Sequence, residues 1–462
     1  MAARRLVHAN FSFASASGFR DDFSTPGTPD TFMDLNLFFA LLGGLLVLAF
    51  VANRLVRFTG VPDVIILMAT GVLIGPVLHW VNPDLFRGAT HGFGSLALIL
   101  ILFEGGLELK FREILSHFAG GLFLAIFSYL LGAVGVALVC RHALHFTWTP
   151  ALLVGAALGC ISSSILLPVL QQVNLRREVK VTQLVEATFG DALAVLAVTT
   201  LIDTAAGGSA SASIITWSLF SSVILAVASG ALIGALWSYL LPLLSEERFW
   251  HVLTFAVVLL IYSGVHALHG NELVAVLIFG LTLSNYPAAQ KGFQLGDDAE
   301  NADWFSETSV KPDHDRSPHH GQLLTFHGEL AFLIRTFFFV LLGALVEFQG
   351  LRKHAVLALG CFGALLIARW LSVESGRFAW RAFTSQEREL MIWFLPRGLI
   401  TAVLGIQIVE ARGADFEFLP SLAFAVILMT NLALLIGSLR ARRLFPKPLT
   451  APPEPAVPQI TS

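Results

Sequence analysis

Charge is what this sequence has least of. Charged side chains make up 13% of its 462 residues and hydrophobic ones 55%, and the mean hydropathy is +0.74. That balance excludes an ordinary soluble domain, which needs about a quarter of its residues charged to cover its surface. A basic excess is missing too. Lys and Arg number 29 against 32 Asp and Glu, for a net charge of −3, and the basic residues fall in short clusters between apolar runs. Nucleic acid and strongly anionic partners are thereby disfavoured. The three cysteines, Cys140, Cys160 and Cys361, lie far apart in or beside apolar runs, which rules out a disulfide framework or a paired-Cys metal site. They read as small core residues. The stretch before residue 33 carries Arg4 and Arg5 but no apolar core, so it is not read as a signal peptide. No compact His/Glu metal motif stands within the apolar runs, which argues against an intramembrane enzyme, and no cofactor is implied.

What the chain has in abundance is hydrophobic runs long enough to cross ~30 Å of hydrocarbon. They cover about 35 to 56, 62 to 81, 92 to 109, 117 to 139, 149 to 170, 181 to 202, 214 to 242, 249 to 268, 271 to 286, 329 to 348, 353 to 373, 389 to 410 and 418 to 439. The expectation is an all-α polytopic membrane protein with about 13 spans. Loops following the odd-numbered runs hold 18 Lys and Arg, the opposite set holds 8, and three arginines fall inside runs. The positive-inside rule then puts the N-terminus outside and the C-terminus in the cytoplasm, as in a bacterial inner membrane.

Three segments are expected to lie outside the bilayer. Residues 1–34 read as a disordered tail in which Met33 is an alternative start, 287–327 as a polar cytoplasmic loop, and 446–462 as a Pro-rich tail too short for a regulatory domain. The domain between, 35–445, has halves that resemble each other. Asp63 precedes Gly71 by eight positions, and Glu272 precedes Gly280 by eight positions at an offset of 209. Seven intervening runs would make the two copies antiparallel, the plan of inverted repeats. In that scheme the fifth run pairs with the twelfth, and both carry breaks: Gly159-Cys160-Ile161-Ser162-Ser163-Ser164 with Pro168, and Pro396-Arg397-Gly398. Two interrupted helices at equivalent places are the best sequence pointer to a midplane binding site.

Charges inside the runs mark where chemistry sits. Glu186 and Asp191 share one apolar stretch, and their spacing of five residues puts them roughly 140° apart on a helix. A carboxylate at the bilayer centre costs at least ~2.5–3.5 kcal/mol, so it is a functional candidate by default. The economical assignment has Glu186 neutralised by a buried cation while Asp191 faces a water-filled cavity. Arg335, Arg369 and Arg397 also lie in apolar surroundings, and each needs a carboxylate, a carbonyl cluster or water. Glu186, Asp191 and Glu104 are the carboxylates at suitable depth. Two histidine pairs, His142/His145 and His266/His269, are expected on one face at outward helix ends, where interfacial anchoring outweighs metal binding or pH sensing. The loop stretch His314 to His320 has ligand residue types without a recognised spacing.

These pieces together resemble a monovalent cation:proton antiporter of the sodium/proton exchanger type. The resemblance rests on Leu102-Phe103-Glu104-Gly105-Gly106-Leu107, on Glu186 with Asp191, on Arg335-Thr336-Phe337-Phe338-Phe339, on Ala368-Arg369 and on Arg397-Gly398 with Pro396 before it. It implies that Asp191 binds cation and proton in turn, that Glu186 and Arg369 form a structural ion pair, and that Arg335, Arg397 and Glu104 support the site. It also implies a homodimer, a role in pH homeostasis, and Na⁺ or K⁺ as the cation. Two positions depart from the family pattern. Electroneutral members usually have Asn where this chain has Gly190, and Thr-Asp-Pro in the fifth-span break where it has Ser162-Ser163-Ser164, whose hydroxyls would complete the ion shell. A single binding carboxylate implies one cation per proton, hence electroneutral exchange. A K⁺ efflux channel-like protein and a non-transporting relative are the alternatives.

Overall fold

The computed structural model describes residues 35–59, 61–80, 83–108, 111–206, 212–244, 249–290, 318–376 and 383–446, and every regular element among them is helical. In chain order these are α1 (Leu35–Thr59), α2 (Asp63–Val72), α3 (Pro83–Glu108), α4 (Phe111–Leu144), α5 (Trp148–Gly159), α6 (Ser163–Gln172), α7 (Arg177–Ala206) and α8 (Ala212–Leu244). They continue with α9 (Trp250–Ala267), α10 (Glu272–Gln290), α11 (Pro318–Ala344), α12 (Phe348–Lys353), α13 (Ala355–Ser375), α14 (Ser385–Trp393), α15 (Leu399–Arg412) and α16 (Leu419–Leu444). Residues 35–47 form a unit by themselves, a helical stretch of Leu, Phe and small residues, and the second unit runs from Leu48 onward.

Eight helical stretches among the described residues are long and apolar enough to cross a membrane, and four shorter apolar ones accompany them. This is an integral membrane protein. Its outward faces carry large apolar side chains that a soluble protein would bury, such as Leu130, Leu232, Leu260, Val356 and Trp370. The interior centres on α7, which packs against α4, α5, α6, α10 and α15 and buries Thr182, Gln183, Glu186, Thr188 and Asp191.

With no hydrophobic force between helices in lipid, small residues decide which ones approach closely. α2 and α11 touch backbone to backbone: a Cβ on Gly71 would collide with the Val340 carbonyl, and one on Gly343 with the Met68 carbonyl. Beyond Val72, α2 widens into a π turn over Leu73–Val77 that accommodates Pro76.

Several sequence expectations shift. Helix α3 starts at Pro83 and α4 runs from Phe111 to Leu144, because polar end-turns continue the helix past the hydrocarbon boundary. Helix α11 begins at Pro318, inside the stretch 287–327 read as a loop, while 291–317, with His314, lies outside the described residues, as do the tails 1–34 and 447–462. The histidine pairs do not share a helical face. His145 and His269 lie one and two residues past their helix ends with φ of 55° and 60°, in left-handed turns off the helices that carry His142 and His266. No three His, Cys, Asp or Glu among the described residues group as a metal site. Cys140, Cys160 and Cys361 are free and buried.

Candidate functional site

The run at 149–170 is broken between Gly159 and Ser163 and the run at 389–410 between Trp393 and Leu399, and the two breaks meet. The Ser162 N–H donates to the Pro396 carbonyl at 2.8 Å. The approach is close enough that a Cβ on Gly398 would collide with the Ser162 side chain. Each break exposes helix ends at depth: the carbonyls closing α5 and α14, and the N–H groups opening α6 and α15.

Arginines occupy the carbonyl ends. Arg397 Nε donates to the Leu158 carbonyl at 2.7 Å and Nη1 to the Leu395 carbonyl at 3.2 Å, so this 3%-exposed guanidinium is held by a carbonyl cluster. Positive charge against the negative end of α5 also complements its dipole. Thr430 and Asn431 of α16 hold the Arg397 backbone, the hydroxyl accepting from its N–H at 3.1 Å and the amide donating to its carbonyl at 2.9 Å. Arg369, on α13, donates from Nε to the Met391 carbonyl near the end of α14 at 2.8 Å, and from Nη1 to Glu186 Oε1 on α7. Both partners of that ion pair are 2% exposed.

The amide end of α6 faces Asp191. Its Oδ2 accepts from the Ser163 N–H at 3.2 Å and from the Ser163 hydroxyl at 2.8 Å. The carboxylate is 1% exposed, and Oδ1 has no hydrogen-bond partner among the described residues. Ser162 and Ser164 make no hydrogen bond to Asp191; their hydroxyls lie 3.2 Å apart and bond each other. Gly190, the departure next to the carboxylate, has nothing within 4 Å of where a Cβ would stand.

Arg335 does not bond any of the three carboxylates expected for the buried arginines. Its Nη2 donates to Asp63 Oδ2 at 3.3 Å and its Nη1 to the Ser164 carbonyl at 2.7 Å. Glu104 is within electrostatic reach of Arg335 but shares no hydrogen bond with it among the described residues. Asp63 was visible in the sequence only as a repeat marker. A second feature passed over is the tie at the far end of the broken helices. Arg176, in the turn between α6 and α7, forms a two-pronged pair with Glu387 at 2.5 Å for both bonds. Glu387 also completes a capping box with Thr384 at the start of α14, and the Thr-x-x-Glu spacing was the available signal.

A membrane domain with a buried, hydrogen-bonded carboxylate at two apposed helix breaks belongs to the class that handles ions or polar solutes at mid-depth. Within that class the chain belongs to the sodium/hydrogen exchanger family, whose transmembrane region matches residues 45–441. That is a family of transporters rather than enzymes. The chain is similar to the K⁺/H⁺ antiporter NhaP2 of Shewanella sp. (strain MR-4), with 25% identity over 435 residues covering 90% of this chain and 69% of that protein. It is also similar to the probable Na⁺/H⁺ antiporter 2 of Methanocaldococcus jannaschii, with 23% identity covering 81% and 85%. Among solved structures, the sodium proton antiporter MjNhaP1 from M. jannaschii shares the fold, with a TM-score of 0.69 at 21% identity over 88% of this chain and 96% of that one.

Proposed function

We propose that the protein is a secondary transporter that exchanges a monovalent cation, Na⁺ or K⁺, for H⁺, with Asp191 binding each in turn. The observation that carries this reading is the state of the Asp191 carboxylate. One oxygen is fixed by Ser163 through two hydrogen bonds, and the other, with the Cys160 thiol nearby, has no hydrogen-bond partner among the described residues in a buried site. A buried carboxylate oxygen with no donor costs free energy until a proton or a cation reaches it, and only one of the two can occupy it at a time. Exchange follows from that competition. The Ser162 and Ser164 hydroxyls are the next oxygens available to the ion. Glu186 takes no part in ion binding because Arg369 keeps it paired, and Arg397 neutralises the carbonyl end facing the site.

A single exchanging carboxylate makes the cycle one cation for one proton and electroneutral. The membrane plan that accompanies the reading has thirteen spans in two inverted repeats, an outside N-terminus and a cytoplasmic C-terminus, in a homodimer of the bacterial inner membrane. The paired breaks and the Lys/Arg asymmetry support that plan.

The test is dequenching of a pH-sensitive dye in everted vesicles on adding Na⁺, K⁺ or Li⁺, with Asp191→Asn as control. Cation-dependent dequenching lost in the variant supports the reading and ranks the ions. Silence with all three ions, or dequenching that survives in Asp191→Asn, rejects it. A membrane potential built up by transport in reconstituted vesicles rejects the electroneutral stoichiometry alone.

A further inference from the structure

Three consecutive serines open α6, and each is held by a different part of the molecule. The Ser162 N–H is taken by the Pro396 carbonyl, the Ser163 N–H and hydroxyl by Asp191, and the Ser164 carbonyl by Arg335. The last bond has a cause in the sequence. In an α-helix the Ser164 carbonyl would accept from the N–H four residues on, and that residue is Pro168, which has none. Proline thus leaves one carbonyl of the first turn free to accept from outside the helix, and the Arg335 guanidinium donates to it at 2.7 Å.

Arg335 is in turn fixed by Asp63, the first residue of α2, at 3.3 Å. Asp63 is itself anchored, since its Oδ1 accepts from the Val64 N–H at 3.0 Å, and it is 8% exposed. Asp63 and Arg335 stand on α2 and α11, the pair of helices locked backbone to backbone at Gly71 and Gly343. A guanidinium held at one fork by a carboxylate on a rigid helix pair presents its other fork in a fixed place.

We infer that Asp63 is a positioning residue for the ion site: it orients Arg335 onto the Ser164 carbonyl freed by Pro168, and so fixes the α6 turn from which Ser163 holds Asp191. Asp63 touches neither Asp191 nor Ser163 by any hydrogen bond among the described residues; it acts through Arg335. The inference rests on the proposed role of Asp191 for its consequence in transport, but the positioning itself is a property of the folded protein. Without the Asp63 carboxylate, Arg335 still has Glu104 in electrostatic reach, and turning toward it would draw the guanidinium off Ser164.

The test measures both levels on the full-length protein. Amide hydrogen exchange of the segment 159–167 is followed in detergent for the parent, Asp63→Asn and Asp63→Glu. The apparent KM for Na⁺ and K⁺ is then read by dye dequenching in everted vesicles. Asp63→Asn should speed exchange at the Ser162 and Ser163 amides by about ten-fold or more while α13 and α16 exchange as in the parent. It should raise the cation KM by roughly 10- to 100-fold, the range seen when partners that orient ion ligands are removed. Asp63→Glu should restore most of both. If Asp63→Asn fails to fold, Arg335→Lys is the second variant. Lysine lacks the fork, so it should likewise loosen the Ser162 and Ser163 amides. Unchanged amide exchange in both variants overturns the positioning role whatever transport does, and loosened amides with a parental KM overturn its consequence for ion affinity. A parent that moves no protons in response to cations, together with loosened amides in the variants, leaves the positioning standing and defeats the proposed function instead.

Discussion

Replacing Glu186 by Gln separates a structural ion pair from a transport site. The side chain keeps its shape and one acceptor oxygen, but Arg369 loses its counter-charge in a site where both residues are 2% exposed. Arg369 keeps its bond to the Met391 carbonyl, so it stays at depth with only a dipole for company. Removing one partner of a buried pair costs ~3–5 kcal/mol, whereas replacing both with apolar groups of similar volume is close to neutral. A loss of that size is roughly two to nearly four orders of magnitude in the folded-to-unfolded ratio, or a fall in Tm of about 3–5 °C for a chain of this length. The assay is thermal unfolding of the detergent-purified protein by intrinsic fluorescence, for the parent, Glu186→Gln, Arg369→Met and the apolar double variant Glu186→Met/Arg369→Met. The double variant should recover most of the stability that either single change loses. A Glu186→Gln protein that melts like the parent, or a double variant whose loss equals the sum of the singles, would refute the argument.

Other expectations concern the helix breaks. Ser163→Ala removes the 2.8 Å hydroxyl bond to Asp191; a bond to a charged group contributes ~1.5–3 kcal/mol, so the cation KM measured in vesicles should rise about ten-fold or more. Gly398→Ala drives a methyl into Ser162 and the Ile165 Cδ1, which lies 2.9 Å from the Cβ position, and should cost ~1–3 kcal/mol by thermal unfolding together with most of the transport. Gly190→Ala meets nothing within 4 Å and relieves a mid-helix glycine, so it should melt at or above the parent by up to ~1 kcal/mol.

The features most readily legible in the sequence were those written in local patterns. Long apolar runs gave helices because a chain in lipid must bond its backbone within each segment. Gly159 to Ser164 and Pro396-Arg397-Gly398 marked the breaks because those residues weaken the helical ladder where they stand. Less was legible where a side chain reaches across the fold. Asp63 and Arg335 lie 272 residues apart, and nothing in either segment says that they meet. The vacancy at Ser164 could have been read from Pro168 four positions on, but its donor could not. The partner of Glu186 came from family resemblance, since three buried arginines were equally eligible by depth. Helix ends ran past the apolar runs because polar turns at the interface keep helical geometry without contributing hydropathy, and the left-handed turns at His145 and His269 gave no compositional sign.

Cation and proton compete for the same carboxylate in the proposed cycle, and the dependence of the cation KM on pH tests that competition most directly. Ion binding to a group that must first lose a proton weakens as protons saturate that group. In everted vesicles, with Na⁺ or K⁺ varied at each pH, the account predicts a KM that rises toward about ten-fold per unit of acidification, with the maximal rate unchanged and no signal in Asp191→Asn. A KM independent of pH while transport persists, or the same pH dependence in Asp191→Asn, would contradict it.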